Sequence, residues 1–183
     1  MSLFCNNNFV KMNNLEQFNL KEAKKASLSE VLEINESHKP MLSSLGDLGK
    51  LEDLIALSTF GSFLVFQREI CAFIVCMRED LPYESLNYQY FQKKYKKFLY
   101  IDRVGVKKGF ENRGFGSFMY GNIFKNYINE QLTICAEANI EPINKQSLKF
   151  HEKMGFRRVE DHFFSNKYGC LLYTSPSPRD PHL

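Results

Sequence analysis

The sequence predicts one α/β (α+β) domain, a mixed sheet with helices against its faces, and three observations carry that prediction. The chain has 183 residues, enough to enclose one substantial core and too few for two large ones. Strand-like and helix-like segments interleave in the order β-α-α-β-β-β-α-β-α-β, the pattern of a layered sheet with helical cover. Apolar residues make up 44% and charged residues 25%, ordinary globular usage that excludes disordered, collagen-like and disulfide-scaffold classes.

Taken in order, Asn6, Asn7, Asn8, Asn13 and Asn14 make the start polar, so residues 1–16 read as a flexible leader. Gln17 to Glu22 is expected to be a short strand. Ser27 or Ser29 then caps a helix whose Leu28, Val31, Leu32 and Asn35 share one face. Asp47 caps a second helix reaching Ser58, with Leu48, Leu51 and Ile55 at helical spacing. Ser62 to Gln67 and Ile70 to Met77 are rich in Phe, Val and Ile, and the polar step Arg68–Glu69 joins them as a hairpin.

Arg78 to Lys97 is aromatic and charged without a clean period, which predicts a long ordered loop of the lid type. Phe98 to Val106 is strand-like and leads through a glycine loop, KKGFENRGFGS, into a helix from about Gly116 to Asn129. Leu132 to Ala138 is a further buried strand. Asn144 to Met154 is an amphipathic helix closed by Gly155 at its C′ position, and Phe156 to Asp161 begins another strand.

Lys and Arg number 24 against 21 for Asp and Glu, a net charge of +3, too small to argue for nucleic-acid binding by field alone. No stretch approaches the roughly 20 apolar residues that span a bilayer, so no membrane partner is expected. The five cysteines show neither CxxC nor Cys/His ligand spacing, which points to a reducing, cytoplasmic setting and no metal.

The last residues change character. Pro176, Pro178 and Pro181 crowd the end, and CLLYTSPSPRD (Cys170 to Asp180) resembles the translation of a transposase-type sequencing adapter. Residues 170–183 are therefore expected to be a non-native read-through tail, which leaves 17–169 as the domain.

A strand, a glycine loop and a helix in succession form an anion-binding layout, because the first amides of a helix lack partners and sit at the positive end of its dipole. A dinucleotide-binding fingerprint fails, since GxGxxG would need Gly or Ala at Met119, and a P-loop fails for want of GK[ST]. A lone GxG also serves ordinary turns.

Glu111-Asn112-Arg113-Gly114-Phe115-Gly116-Ser117 resembles the [Q/R]xxGxG[A/S] loop of the GNAT superfamily of acyl-CoA-dependent N-acyltransferases. Val104 and Val106 match the V-x-V before that loop, and NKQSLKFHEKMGF (Asn144 to Phe156) resembles the family's N-x-x-[A/S]-x-x-x-Y-x-x-x-G-F pattern. The similarity runs from about Phe18 to Gly155.

The resemblance implies a mostly antiparallel sheet splayed between the strands holding Val104 and Glu137, with acyl-CoA in the gap. The pantetheine arm then pairs with backbone at Val104, Gly105 and Val106, while the pyrophosphate rests on Glu111 to Ser117. Asn144 and Ser147 fall near the cofactor. The family's last strand is expected between those beginning near Leu132 and Phe156, truncated here or replaced by the apolar stretch Tyr168 to Thr174.

Two residues depart from the family pattern. Glu111 stands where Gln or Arg is usual and would repel a diphosphate unless turned outward, with Arg113 compensating. His151 stands where the family places a tyrosine that protonates the departing CoA thiolate; an imidazolium can donate a proton too, although a lone His also packs at a helix edge. Glu137 is the candidate base for the amine, its alternative being a charge on a sheet face. Alternation sends Asp102 and Arg103 to opposite faces, so only one is expected in the cleft. Tyr83, Tyr88 and Tyr90 either line the acceptor pocket or anchor the loop.

The function implied is an acetyl-CoA-dependent N-acetyltransferase acting by direct attack of an amine in a ternary complex. The alternative is a non-catalytic CoA-binding or sensory module of the same fold. Acceptor identity is undecided, and a homodimer is left open.

Overall fold

Seven strands form one sheet in the order β1-β2-β3-β4-β5-β7-β6. They are β1 (Leu15–Asn19), β2 (Phe60–Phe66), β3 (Glu69–Arg78), β4 (Phe98–Val106), β5 (Thr133–Glu141), β6 (Arg157–Ser165) and β7 (Tyr168–Thr174). The helices are α1 (Lys25–Ser37), α2 (Leu48–Leu57), α3 (Leu86–Lys94), α4 (Phe115–Tyr127) and α5 (Lys145–Lys153). The computed structural model describes residues 14–130, 132–165 and 168–175. Residues 1–13 of the expected leader and 176–183 of the expected tail lie outside the described residues.

All neighbouring strands are antiparallel except β4 and β5, which run parallel. Both faces of the central strands are covered, so β3 reads as an almost unbroken apolar run, as a doubly covered strand must. Phe73, Val75 and Met77 join the core beneath α1, α2 and α3. Ala72, Ile74 and Cys76 join the core beneath α4 and α5.

Several boundaries differ from expectation for identifiable reasons. The first strand covers Leu15–Asn19, and a 3-10 turn takes over at Leu20 because the Asn19 side chain accepts the Lys21 amide at 2.9 Å. Helix α1 starts at Lys25 rather than after Ser27 or Ser29, and Ser29 sits inside it with its hydroxyl donating to the Lys25 carbonyl at 3.0 Å. The expected lid contains α3, capped by Ser85, whose hydroxyl accepts the Tyr88 amide at 3.3 Å. Its signal was faint because Tyr88 and Phe91 carry the buried stripe while Leu86 is exposed.

One irregularity shapes the cleft. Along the β3–β4 ladder Val75 faces Arg103 and Cys76 faces Ile101, so Asp102 is an extra residue in a β-bulge. At the far side of the sheet, β7 lies between β5 and β6 and buries Cys170, Leu171, Leu172 and Tyr173. The stretch expected to be foreign thus occupies the place expected for the final strand.

Candidate active site

The sheet opens between β4 and β5. Phe98, Leu99 and Tyr100 pair with Thr133, Ile134 and Cys135, and there the ladder ends although both strands continue. Just beyond the last pair, the Tyr100 hydroxyl donates to Glu137 Oε2 at 2.7 Å and spans the fork.

Glu137 borders a cavity of about 310 Å³ on the face covered by α1, α2 and α3. The connection after α1 contributes Met41, Leu42 and Ser43, and α3 with its lead-in contributes Tyr83, Ser85, Leu86 and Asn87. Phe164 and Tyr168 close it from the β6–β7 side. Burial pushes the Glu137 carboxyl up to about 7; the Tyr100 hydrogen bond opposes that rise and the Asp102 charge reinforces it. A carboxyl near neutrality can both accept and release a proton at physiological pH.

Asp102 and Arg103 both reach this cavity, contrary to the alternation rule, because the bulge at Asp102 breaks the two-residue period. They pair with each other, Arg103 Nε donating to Asp102 Oδ2 at 2.8 Å, with side chains 6% and 5% exposed. Arg103 Nη1 also donates to Asn35 Oδ1 at 2.9 Å, and Nη2 to Ser43 Oγ at 3.3 Å. The Tyr83 hydroxyl donates to Asp102 Oδ1 at 2.6 Å. Of the three loop tyrosines, then, Tyr83 lines the pocket. Tyr88 is an anchor, its hydroxyl donating to the Arg78 carbonyl at 2.7 Å, and Tyr90 accepts from Lys94 at 2.8 Å.

The glycine loop follows β4. Glu111 turns its carboxylate onto the Gly109 amide, with Oε2 2.6 Å from the nitrogen; hydrogen bonds from its own and the Gly109 backbone amides hold its pKa below the usual carboxylate value. The backbone takes φ +60° at Asn112 and +92° at Gly114, and the second of these favours a residue without a Cβ. Phe115 is buried between Phe66 and Phe110, with ring centroids at 5.5 and 6.1 Å, and anchors the start of α4. The exposed Arg113 lies over the Phe110 ring, its guanidinium 5.0 Å from the centroid. Among the described residues the amides of Phe115, Gly116 and Ser117 find no protein acceptor. A Cβ on Gly116 would lie 3.6 Å from the Phe150 ring, an ordinary contact. Open amides, a glycine at positive φ and an acid turned away fit a bound phosphate.

Val104 and Val106 are half-buried against the α4 side of the sheet. The Val106 carbonyl accepts from His38 Nε2 at 2.8 Å, so His38 already engages one of the backbone groups expected to meet the pantetheine arm. Gly105 is needed for packing: a Cβ there would sit 2.5 Å from Phe73 Cε1 and 3.2 Å from Ile34 Cγ2.

His151 and Glu137 are not brought together. His151 lies on the α4–α5 face, 2% exposed. Its Nδ1 donates to the Ser147 carbonyl at 2.9 Å, with Ser147 Oγ at 3.3 Å, leaving Nε2 to accept from the Tyr120 hydroxyl at 2.9 Å. Burial lowers its pKa to about 4, so near pH 7 the ring is neutral and the expected imidazolium donor is not the resident form. Asn144 caps α5 as expected, Oδ1 accepting the Ser147 amide at 3.0 Å. Tyr100 and Tyr120 escaped the sequence reading because an aromatic in an apolar run looks like plain core, and nothing local marks its hydroxyl.

Residues 29–156 match the acetyltransferase (GNAT) family, and the chain belongs to it. Solved structures share the fold. The ribosomal-protein-S18-alanine N-acetyltransferase from Escherichia coli is 10% identical with a TM-score of 0.64, covering 92% of this chain and 98% of its own. NAA60 of Arabidopsis thaliana, in complex with a bisubstrate analogue, is 13% identical with a TM-score of 0.66, covering 87% and 96%. The NatC complex bound to Gag peptide and CoA is 14% identical with a TM-score of 0.65, covering 88% and 98%. No curated protein matches the chain. Among the described residues no helix is long and apolar enough to cross a membrane.

Proposed function

We propose that the protein is an N-acetyltransferase that moves an acetyl group from acetyl-CoA to an amine by direct attack. The observation that carries this reading is the carboxyl of Glu137, held by Tyr100 across the fork, in a cavity that opens where the sheet parts. The loop amides of Phe115, Gly116 and Ser117 would hold the pyrophosphate, with Gly114 and Asn112 shaping the turn and Arg113 nearby. The edge of β4 from Val104 to Val106 would face the pantetheine arm, and the α5 cap at Asn144 and Ser147 would border it.

An ammonium is not a nucleophile, so the acceptor first gives a proton to Glu137, directly or through one water. Its nitrogen then bonds to the thioester carbonyl carbon, the carbon–sulfur bond breaks, and the second proton that the acylated nitrogen sheds passes through water to the departing thiolate. His151, neutral and committed to Ser147 and Tyr120, holds α5 against α4 in this scheme.

A second reading, CoA binding without turnover, is prompted by Glu111 and by the histidine in place of the family tyrosine. Calorimetric titration with acetyl-CoA followed by thiol detection across an amine panel separates the two. Heat together with amine-dependent CoA release supports transfer. Heat without release across the panel supports the binding module, and no heat at high micromolar acetyl-CoA sinks both.

A further inference from the structure

We infer, on the acetyl-transfer reading, that the accepted amine carries no carboxylate on its adjacent carbon: an alkylamine or the amino terminus of a peptide fits, whereas a free α-amino acid does not. The ground is where the charges of the cavity are directed.

Among the described residues lining the cavity, Arg103 is the one cation. Its guanidinium is turned inward and commits all three nitrogens to protein acceptors, Nε on Asp102, Nη1 on Asn35 Oδ1 and at 3.4 Å from the Ser43 carbonyl, Nη2 on Ser43 Oγ. Asp102 in turn accepts from Tyr83 on its other oxygen. The positive charge is thus neutralised inside the wall. What is left for a ligand is the Glu137 carboxyl, held by Tyr100, the uncharged polar groups of Ser85, Asn87 and Tyr168, and the apolar surface of Met41, Leu42, Leu86 and Phe164.

An α-carboxylate lies two bonds from the amine nitrogen, so it cannot leave the cavity while the amine addresses Glu137. It would be desolvated beside Glu137 and Asp102 with no free cation to meet it, and like charges in a poorly hydrated site repel strongly. An amide carbonyl or a hydrogen in the same position meets no such repulsion, and an apolar side chain on that carbon finds the surface of Met41, Leu42 and Leu86.

The test compares leucine with isoamylamine, which differs by the carboxylate alone, and with leucyl-glycine amide as the peptide arm. Isoamylamine is the more basic amine, so a preference for it cannot arise from a larger unprotonated fraction. Initial rates of CoA release should favour the carboxylate-free acceptors by about tenfold or more in kcat/KM, and whichever of the two is faster identifies the source of the amine. Leu86, 54% exposed on the cavity rim, is a place where a cation can be added without disturbing the core. Leu86→Lys should raise leucine relative to isoamylamine by about threefold or more.

Direct titration of the same compounds into the CoA-loaded protein reads this selectivity without turnover. Absence of CoA release with all three acceptors would sink the transfer reading and leave the selectivity to the titration. Leucine bound or acetylated as well as isoamylamine, or no binding by any of the three, overturns the inference itself.

Discussion

At the scale of single residues, two buried titratable groups pull stability in opposite directions. Glu137 is raised from 4.5 to about 7 and His151 is lowered from 6.5 to about 4. Between about pH 4.5 and 7 the native state therefore keeps a proton on Glu137 that the unfolded chain has lost, so this group costs stability as pH rises. Between about 6.5 and 4 the native state refuses a proton on His151 that the unfolded chain takes, so this group costs stability as pH falls. The two nearly cancel over the shared window. Denaturant midpoints should thus vary little with pH there in the wild type, fall toward acid in Glu137→Gln, and rise toward acid in His151→Gln; two variants with parallel slopes would refute the assignment. On the proposed mechanism the same carboxyl sets the rate. kcat/KM should climb through an apparent pKa near 7 and level off above it, and Glu137→Gln should lose about 10²–10⁴-fold in kcat with acetyl-CoA affinity unchanged by calorimetry. Glu137 was legible in the sequence as an acid on the strand that the family resemblance sets beside the acyl gap. Its partner Tyr100 was not, since only the fold brings a strand neighbour's hydroxyl across the fork.

At the scale of elements, the loop that carries β4 into α4 rests on one conformation that side chains disfavour. Gly114→Ala places a Cβ at φ +92°, which should cost about 1–2 kcal/mol and weaken acetyl-CoA binding measurably, while circular dichroism keeps the native signature. Unchanged affinity would mean that the loop is not the anion site. The strand, glycine turn and helix were readable from sequence, but the glycines alone also fit an ordinary turn, and the resemblance of Glu111 to Ser117 to the GNAT loop is what marked an anion site. Helix α3 was not, because nine residues with a two-aromatic stripe and an exposed Leu86 give too short a period to separate from a loop. The Asp102 bulge was equally hidden: it depends on the register against β3, and no single strand carries the record of its neighbour's spacing.

At the scale of the whole molecule, the sheet divides the work. Helices α4 and α5 and the glycine loop border one face, and the cavity of Glu137 opens on the other. On the proposed function donor and acceptor thus have separate places and meet at the fork. Initial-rate plots against one substrate at fixed levels of the other should intersect; parallel lines, the mark of an acetylated enzyme, would contradict direct attack. The order of elements that predicts such a layered sheet was plain in the sequence, since strand and helix periods alternate along it. The fork itself was not, because it arises where a ladder stops. The seat between β5 and β6 has a further consequence. Its two bare edges ask for main-chain partners, and its two covered faces ask for greasy side chains above and below. Neither demand specifies a particular word, only an alphabet. Many different apolar phrases can therefore complete one architecture at this seat.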